Sequence, residues 1–263
     1  MRLIIVGPGR AGGAIALAST EAGHEIVGVL SRRPVDRWWE RLEWDSDLPE
    51  ADVAFLAVRD EAIPEVASRV APHVADIGVV AHLSGFTPVL ALHEIQERGT
   101  AVGGFHPLQS LPDPETGAKA LAGSFVGIDG DQLGVDVLTH LASSLRMEPF
   151  RLDDAARPAY HAAAAAASNF VVTALAISGD LFRSAEIDPR VSRPLVERAV
   201  ANVFEKGPVA SLTGPIARGD IDTVIGHLTA AHEVSEYVGR QFRLMAEATT
   251  IRAGREEDLH RWK

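Results

Sequence analysis

Gly7-Pro8-Gly9-Arg10-Ala11-Gly12 follows directly on the apolar run Leu3-Ile4-Ile5-Val6 and opens the helical stretch Arg10 to Ala22. This G-x-G-x-x-G constrains the chain more than any other feature, because each glycine has a mechanical task. Gly7 permits a tight turn after the strand. Gly9 lets the backbone approach a pyrophosphate, and Gly12 allows close helix–strand packing, with the phosphates resting on the helix N-terminus. A glycine-rich turn without a ligand is the competing reading. The strand before it, the helix after it and the pattern that follows all favour the dinucleotide fingerprint, so Gly7, Pro8, Gly9, Arg10, Ala11 and Gly12 are assigned as cofactor-binding candidates.

Short β-rich runs then alternate with helical stretches: Glu25-Leu30, Val53-Val58, Glu61 to Val70 and Val79-Leu83, with further strands expected at Ala101-Phe105 and Ser124-Ile128. Such alternation, with near-continuous apolar strands, predicts a parallel sheet covered on both faces. From Asp153 onward the texture changes to long alanine-rich helical segments. The expected fold class is therefore α/β, a Rossmann-type parallel sheet domain over 1–152 followed by an all-helical domain over 153–263, with the boundary near Arg151-Ala155, where Pro149 and two aspartates interrupt both patterns.

The end of the second strand discriminates between cofactors. An acidic residue there accepts from a ribose 2′-hydroxyl, but this chain reads Leu30-Ser31-Arg32-Arg33. A hydroxyl and two guanidinium groups suit a 2′-phosphate, since arginine presents a rigid fork of donors to phosphate oxygens. The expected cofactor is NADP(H), with a solvated basic loop as the competing use. Trp38, Trp39 and Trp44 follow, for core packing or for covering the adenine. Ala57, Val58 and Arg59, at the carboxyl end of the third strand, complete the expected cofactor contacts.

Composition narrows the function classes. The net charge of −11 argues against nucleic acid or an anionic membrane as partner. Without cysteine, disulfides, thiolate nucleophiles and cysteine metal sites are excluded. The first apolar run is short and lacks the basic flank of a signal peptide, so the expected location is the cytoplasm. Tyr160 to Ser178 contains no Asp, Glu, Lys or Arg and has about the length of a membrane span. Its alanines contribute little transfer energy and His161, Ser168, Asn169 and Thr173 would need partners in lipid, so a helix buried inside a soluble domain is expected. His227 and His232 fall on different helical faces and no metal site is proposed.

Four motifs together resemble a known family: the fingerprint; Gly104-Phe105-His106-Pro107-Leu108-Gln109-Ser110-Leu111; Tyr160-His161-Ala162-Ala163-Ala164 with Ser168-Asn169; and Leu212-Thr213-Gly214-Pro215-Ile216-Ala217-Arg218-Gly219-Asp220. Over nearly its whole length the chain resembles the Rossmann-like proteins carrying domain of unknown function 2520. These belong to the wider 6-phosphogluconate-dehydrogenase-like reductases, with ketopantoate reductase, pyrroline-5-carboxylate reductase and prephenate dehydrogenase. The resemblance implies a Rossmann domain, then a helical domain, with an active site between them. Several of these relatives place a lysine four residues before an asparagine on the first long helix of the second domain. With Asn169 aligned to that asparagine, Ala165 stands at the lysine position, and the three lysines, Lys119, Lys206 and Lys263, lie elsewhere. His106-Pro107 resembles instead the Gly-His-Pro turn of prephenate dehydrogenase.

Hydride delivery to a carbonyl or imine requires a proton donor beside the acceptor carbon. His106, after a strand of the first domain, is the leading candidate for catalysis and substrate contact. Ser84 is either a nicotinamide or substrate contact or a turn-forming serine. His161 and Ser168, seven apart, share a helical face with Asn169 slightly rotated from it, and the three are further catalytic candidates; the alanines around them leave room either for a ligand or for close helix packing. Thr213, Arg218 and Asp220 form a polar turn suited to a substrate carboxylate, with helix capping as Asp220's alternative. The expected function is an NADP(H)-dependent oxidoreductase reducing a small keto acid, as ketopantoate reductase does, or a cyclic imino acid. The alternative is a non-catalytic NADP(H)-binding sensor or scaffold. The expected partners are a small-molecule acid and a second copy, because one helical domain of about 110 residues has difficulty enclosing so apolar a helix.

Overall fold

The computed structural model describes residues 1–32, 34 and 39–262. Arg33 and Trp38, singled out above, lie outside the described residues. The chain forms two compact units, Met1–Ala165 and Ala166–Lys263.

The first unit is built on a seven-stranded sheet in the order β2-β1-β3-β4-β5-β6-β7. The strands are β1 (Arg2–Val6), β2 (Glu25–Leu30), β3 (Ala51–Leu56), β4 (Ile77–His82), β5 (Ala101–Pro107), β6 (Phe125–Gly130) and β7 (Glu148–Arg151). The helices of this unit are α1 (Arg10–Glu21), α2 (Ile63–Val70), the single turn α3 (His93–Gln96), α4 (Pro114–Leu121), α5 (Gln132–Ser144) and α6 (Arg157–Ala165). Alternate residues of each central strand enter opposite cores: Leu3 and Ile5 pack with α1, α4 and α5 residues such as Ile15, Leu121 and Leu138, while Ile4 and Val6 pack with Ile63, Ala67 and Val70 of α2. Burial on both faces explains the unbroken apolar runs in the sequence.

This is the expected Rossmann-type sheet, with one departure. β6 runs antiparallel to β5, and β7 then pairs parallel to β6. β7 was not foreseen, because Glu148-Pro149-Phe150-Arg151 has no buried residue. Pro149 is tolerated there because β7 is an edge strand. The first unit also runs past the expected 152/153 boundary and keeps α6, whose Arg157 is buried within it.

The second unit is helical, as expected. A π-helical segment (Ala166–Phe170) precedes α7 (Val171–Ser184), α8 (Arg193–Lys206), the short α9 (Pro208–Ser211) and α10 (Pro215–Arg218), α11 (Ile221–Val234) and α12 (Glu236–Arg252). Its core is small. Val224, Leu228, Ala246 and Trp262 form one cluster, and Ile177, Ala231 and Val238 another. Ser235 separates α11 from α12 and accepts from Val238 N, capping the second helix.

The expectation of a buried apolar helix is not met. The stretch 154–184 has the length and hydropathy of a membrane span, yet only 11% of its most apolar window is buried. α7 buries only Ile177 and Gly179, because α11 and α12 cover one side of it.

Candidate functional site

The loop after β1 has the form the fingerprint predicts. Gly7 adopts φ +91, and a Cβ there would stand 2.7 Å from the Ala57 carbonyl oxygen. A Cβ on Gly12 would meet the Gly7 carbonyl oxygen at 2.5 Å and the Ala57 Cβ at 2.7 Å, so the start of α1 packs directly on the ends of β1 and β3. Gly9 has nothing within 4 Å of a Cβ and faces open space. No side chain caps α1 and its first turn holds no acidic residue, which leaves the first N–H groups free for an anion.

In front of this loop lies a cleft of ≈ 1380 Å³ lined by Gly7, Pro8, Gly9, Arg10, Leu30, Ser31, Arg32, Ala57, Val58 and Arg59, which brings together most of the cofactor candidates at the carboxyl ends of β1, β2 and β3. Ala11 and Gly12 lie in the first turn of α1 rather than on the cleft wall. Trp44 and Arg69 also line the cleft and were not foreseen for it together. The Arg69 guanidinium sits 4.5 Å from the centre of the Trp44 ring and donates to both carboxylate oxygens of Asp45 at 2.7 and 2.6 Å. The residues present thus fit a dinucleotide: a glycine loop that leaves room for close approach, a helix N-terminus without a side-chain cap and a basic outer end.

His106 stands in β5, and its Nδ1 is 2.6 Å from the Tyr160 hydroxyl of α6. The two rings meet edge to face at 5.4 Å. His161, the next residue, places its ring 6.0 Å from His106, with the Phe86 ring 6.0 Å further along. The imidazole packs against Gly85, where a Cβ would stand 2.8 Å from both Cε1 and Nε2. Burial, reinforced by His161 and Arg157, lowers the His106 pKa to about 4, with Asp60 acting the other way. Burial raises that of the Tyr160 phenol to about 12. Both rings are therefore neutral at pH 7 and share one short hydrogen bond.

Ser84 is buried at the end of β4, but its hydroxyl accepts from Phe86 N at 3.1 Å and Thr87 N at 2.9 Å. This is the turn-forming role that the sequence left open. Below it lies His82, fully buried. Neither of its ring nitrogens makes a well-formed hydrogen bond, although the Pro88 carbonyl is near. Burial first, and then the Arg157 charge, lowers the His82 pKa to about 4.

The remaining candidates belong to the second unit. Ser168 and Asn169 are exposed on the π-helical segment, where the Ser168 hydroxyl lies 3.4 Å from Asn169 Oδ1. The π turns break the 3.6-residue period on which the seven-residue spacing from His161 relied, so a shared face no longer follows from that spacing. Thr213 is exposed, and Arg218 is held by Asp220 at 2.7 and 3.0 Å. Asp220 occupies the N-cap position of α11 without a side-chain cap bond. Its carboxylate accepts from Arg218 instead.

Tyr160 was visible only as part of a family motif, and Arg157, Phe86, Gly85 and His82 were missed. A hint was available: Arg157 is a charged residue just before an uncharged stretch, one turn ahead of Tyr160-His161.

Residues 124–249 match the family described as Domain of unknown function (DUF2520). No curated protein matches the chain. Solved structures share its fold. A Bacteroides fragilis protein assigned as an NADP oxidoreductase is 21% identical with a TM-score of 0.78, over 95% of this chain and 97% of that one. Pyrroline carboxylate reductase of Plasmodium falciparum, solved with NADP bound, is 11% identical with a TM-score of 0.65, over 95% and 98%. An imine reductase of Streptomyces aurantiacus is 15% identical with a TM-score of 0.63, over 95% of both chains. At these identities the likeness speaks for the fold.

Proposed function

We propose that this chain, which carries the DUF2520 domain at residues 124–249 in a Rossmann-like reductase fold, is an NADP(H)-dependent oxidoreductase that reduces the C=O or C=N group of a small keto acid or cyclic imino acid. The observation that carries this reading is the 2.6 Å bond between His106 and Tyr160 in the same unit as the glycine-loop cleft. A reductase has a use for such a pair, since it must deliver a proton as the substrate atom gains negative charge.

A bound nicotinamide supplies a hydride to an electrophilic carbon. The chain's own part is to bind and to manage the proton. Gly7, Gly9 and the first N–H groups of α1 would hold the pyrophosphate, and Ser31 and Arg32 on the cleft wall would meet the 2′-phosphate. In this mechanism the protonated Tyr160 O–H is assigned as donor to His106 Nδ1, which places the imidazole proton on Nε2. Nε2–H then gives its proton to the substrate oxygen or nitrogen, and Nδ1 draws on the Tyr160 proton in turn. Solvent restores the pair. This arrangement replaces the helix lysine missing at Ala165, and it favours an enzyme over a cofactor-binding sensor, which has no use for a proton relay.

Proteins that share the fold include a pyrroline carboxylate reductase and an imine reductase, which makes cyclic imines the first substrates to try. A steady-state screen of NADPH oxidation against cyclic imines and 2-keto acids tests it. Turnover with at least one class is expected; cofactor binding without turnover on any of them selects the sensor.

The helical unit is proposed to pair with a second copy. No residue of α8 is buried, and Leu195 and Phe204 on it are 70% and 87% exposed. A 14-residue helix holds its shape in water mainly through tertiary packing, and a symmetric partner supplies it. Light scattering at micromolar concentration is expected to give twice the mass of one chain; a mass near 28.1 kDa refutes the pairing.

A further inference from the structure

Arg157 opens α6, yet its side chain is 1% exposed. Its Nε donates to Asp154 Oδ1 at 2.6 Å and its Nη1 to the Ser84 carbonyl oxygen at 3.2 Å. The Asp154 carboxylate in turn accepts from Val89 N at 3.1 Å. One guanidinium thus fastens the first turn of the helix that bears Tyr160 and His161 to both ends of the loop 84–89. That loop sets Gly85 against the imidazole of His106 and Phe86 beside His161. The remaining nitrogen, Nη2, has no hydrogen-bond partner and lies over Gly104 of β5, where a Cβ would stand 2.6 Å from it and 3.3 Å from His82 Cε1. A buried cation with part of its fork unused is an expensive way to stabilise a fold, since an apolar side chain of similar size packs as well. Its placement asks for another purpose.

We propose that Arg157 is a positioning residue for the His106–Tyr160 pair, locking α6 to the loop 84–89 and so fixing which ring nitrogen of His106 meets Tyr160 and which is left for the substrate. The inference rests on the oxidoreductase reading for its purpose, but not for its test. The groups acting on His106 are His161 and Arg157 from α6, and Asp60 from the turn after β3. His82 on β4 is coupled to His106 as well. Of these, Asp60 alone favours the charged imidazole. Removing the Arg157 cation leaves Asp60 less opposed, and His106 then protonates at higher pH.

The test uses the full chain with ¹⁵N-labelled histidine and follows His106 by two-dimensional NMR, with assignment from a His106→Ala sample. Neither cofactor nor substrate is needed, so a protein without reductase activity still answers. In the native protein His106 is expected as one neutral tautomer, protonated on Nε2, from pH 8 to pH 5. Arg157→Met is expected to average the two tautomers and to move the His106 midpoint up toward the ordinary value of 6.5. Arg157→Lys keeps a cation without the fork; it is expected to retain the low midpoint while losing the single tautomer. Loss of the charge alone moves the midpoint, so the tautomer is the diagnostic reading: a purely structural role would leave the tautomer of any folded variant as it is. A native-like Arg157→Met protein that keeps a single Nε2–H tautomer overturns the proposal, whatever its midpoint. Should Arg157→Met not fold, Asp154→Ala carries the test: loss of the single tautomer and faster amide exchange at Val89 are expected, and an unchanged tautomer overturns it.

Discussion

His82 makes the first unit sensitive to acid in a way that can be worked out. It is fully buried and its pKa falls from 6.5 to about 4 through burial and the nearby Arg157 charge, opposed by Asp154. His106 is lowered to about 4 as well, mainly by burial. A histidine with a depressed folded pKa binds more protons when unfolded, so between pH 4 and pH 6.5 stability rises with pH and is lost on acidification. The linkage costs about 2 kcal/mol for each histidine between pH 8 and pH 5, and about 3 kcal/mol each by pH 4. Two such groups withdraw about 4 kcal/mol at pH 5, a large part of the 5–15 kcal/mol typical of a folded domain. Carboxylates also titrate in this range, so the diagnostic quantity is a difference. His82→Leu removes one of the two titrations and replaces ring nitrogens lacking good hydrogen bonds by an apolar group, a change expected to be near neutral at pH 8. Urea unfolding at pH 8 and pH 5, read by tryptophan fluorescence in a Trp262→Phe background, reports on Trp38, Trp39 and Trp44 of the first unit. The variant is expected to lose about 2 kcal/mol less than the native sequence over this interval. An identical loss in both would refute the burial of a neutral His82.

Two further outcomes follow from the site. Gly85→Ala is expected to fold normally yet lower turnover by about 10- to 100-fold, because the new Cβ stands 2.8 Å from Cε1 and Nε2 of His106 and displaces the ring; undiminished turnover would show that the ring position is unimportant. The native protein is expected to bind NADPH far more tightly than NADH, and Arg32→Ala with Arg33→Ala to erase the preference, as calorimetry would show; equal affinities in the native protein would remove the assigned 2′-phosphate contact.

The glycine loop was legible because backbone geometry leaves so few choices: Gly7 needs its positive φ, and Gly12 has no room for a Cβ. The apolar strands were legible for a similar reason, since burial on both faces leaves a continuous run. β7 was not, because an edge strand with no buried residue has no hydrophobic signature. His106 could be picked out by the turn it precedes, but its partner could not, because Tyr160 lies 54 residues away and only the packing of α6 brings them together. The same packing buries Arg157, a residue type that sequence alone assigns to solvent. The spacing of His161 and Ser168 does not by itself carry a shared face, since helix periodicity assumes an uninterrupted α-helix and the chain inserts π turns at Ala166–Phe170.

The central claim is that the His106–Tyr160 pair delivers the proton in a nicotinamide-dependent reduction. It is tested most directly by measuring NADPH-dependent turnover of the best substrate in the native protein, His106→Ala and Tyr160→Phe, alongside the NADPH affinity of each. The account predicts turnover lowered by about 10²- to 10⁴-fold in His106→Ala, a substantial loss in Tyr160→Phe, and unchanged NADPH binding in both. Native turnover in His106→Ala would contradict it.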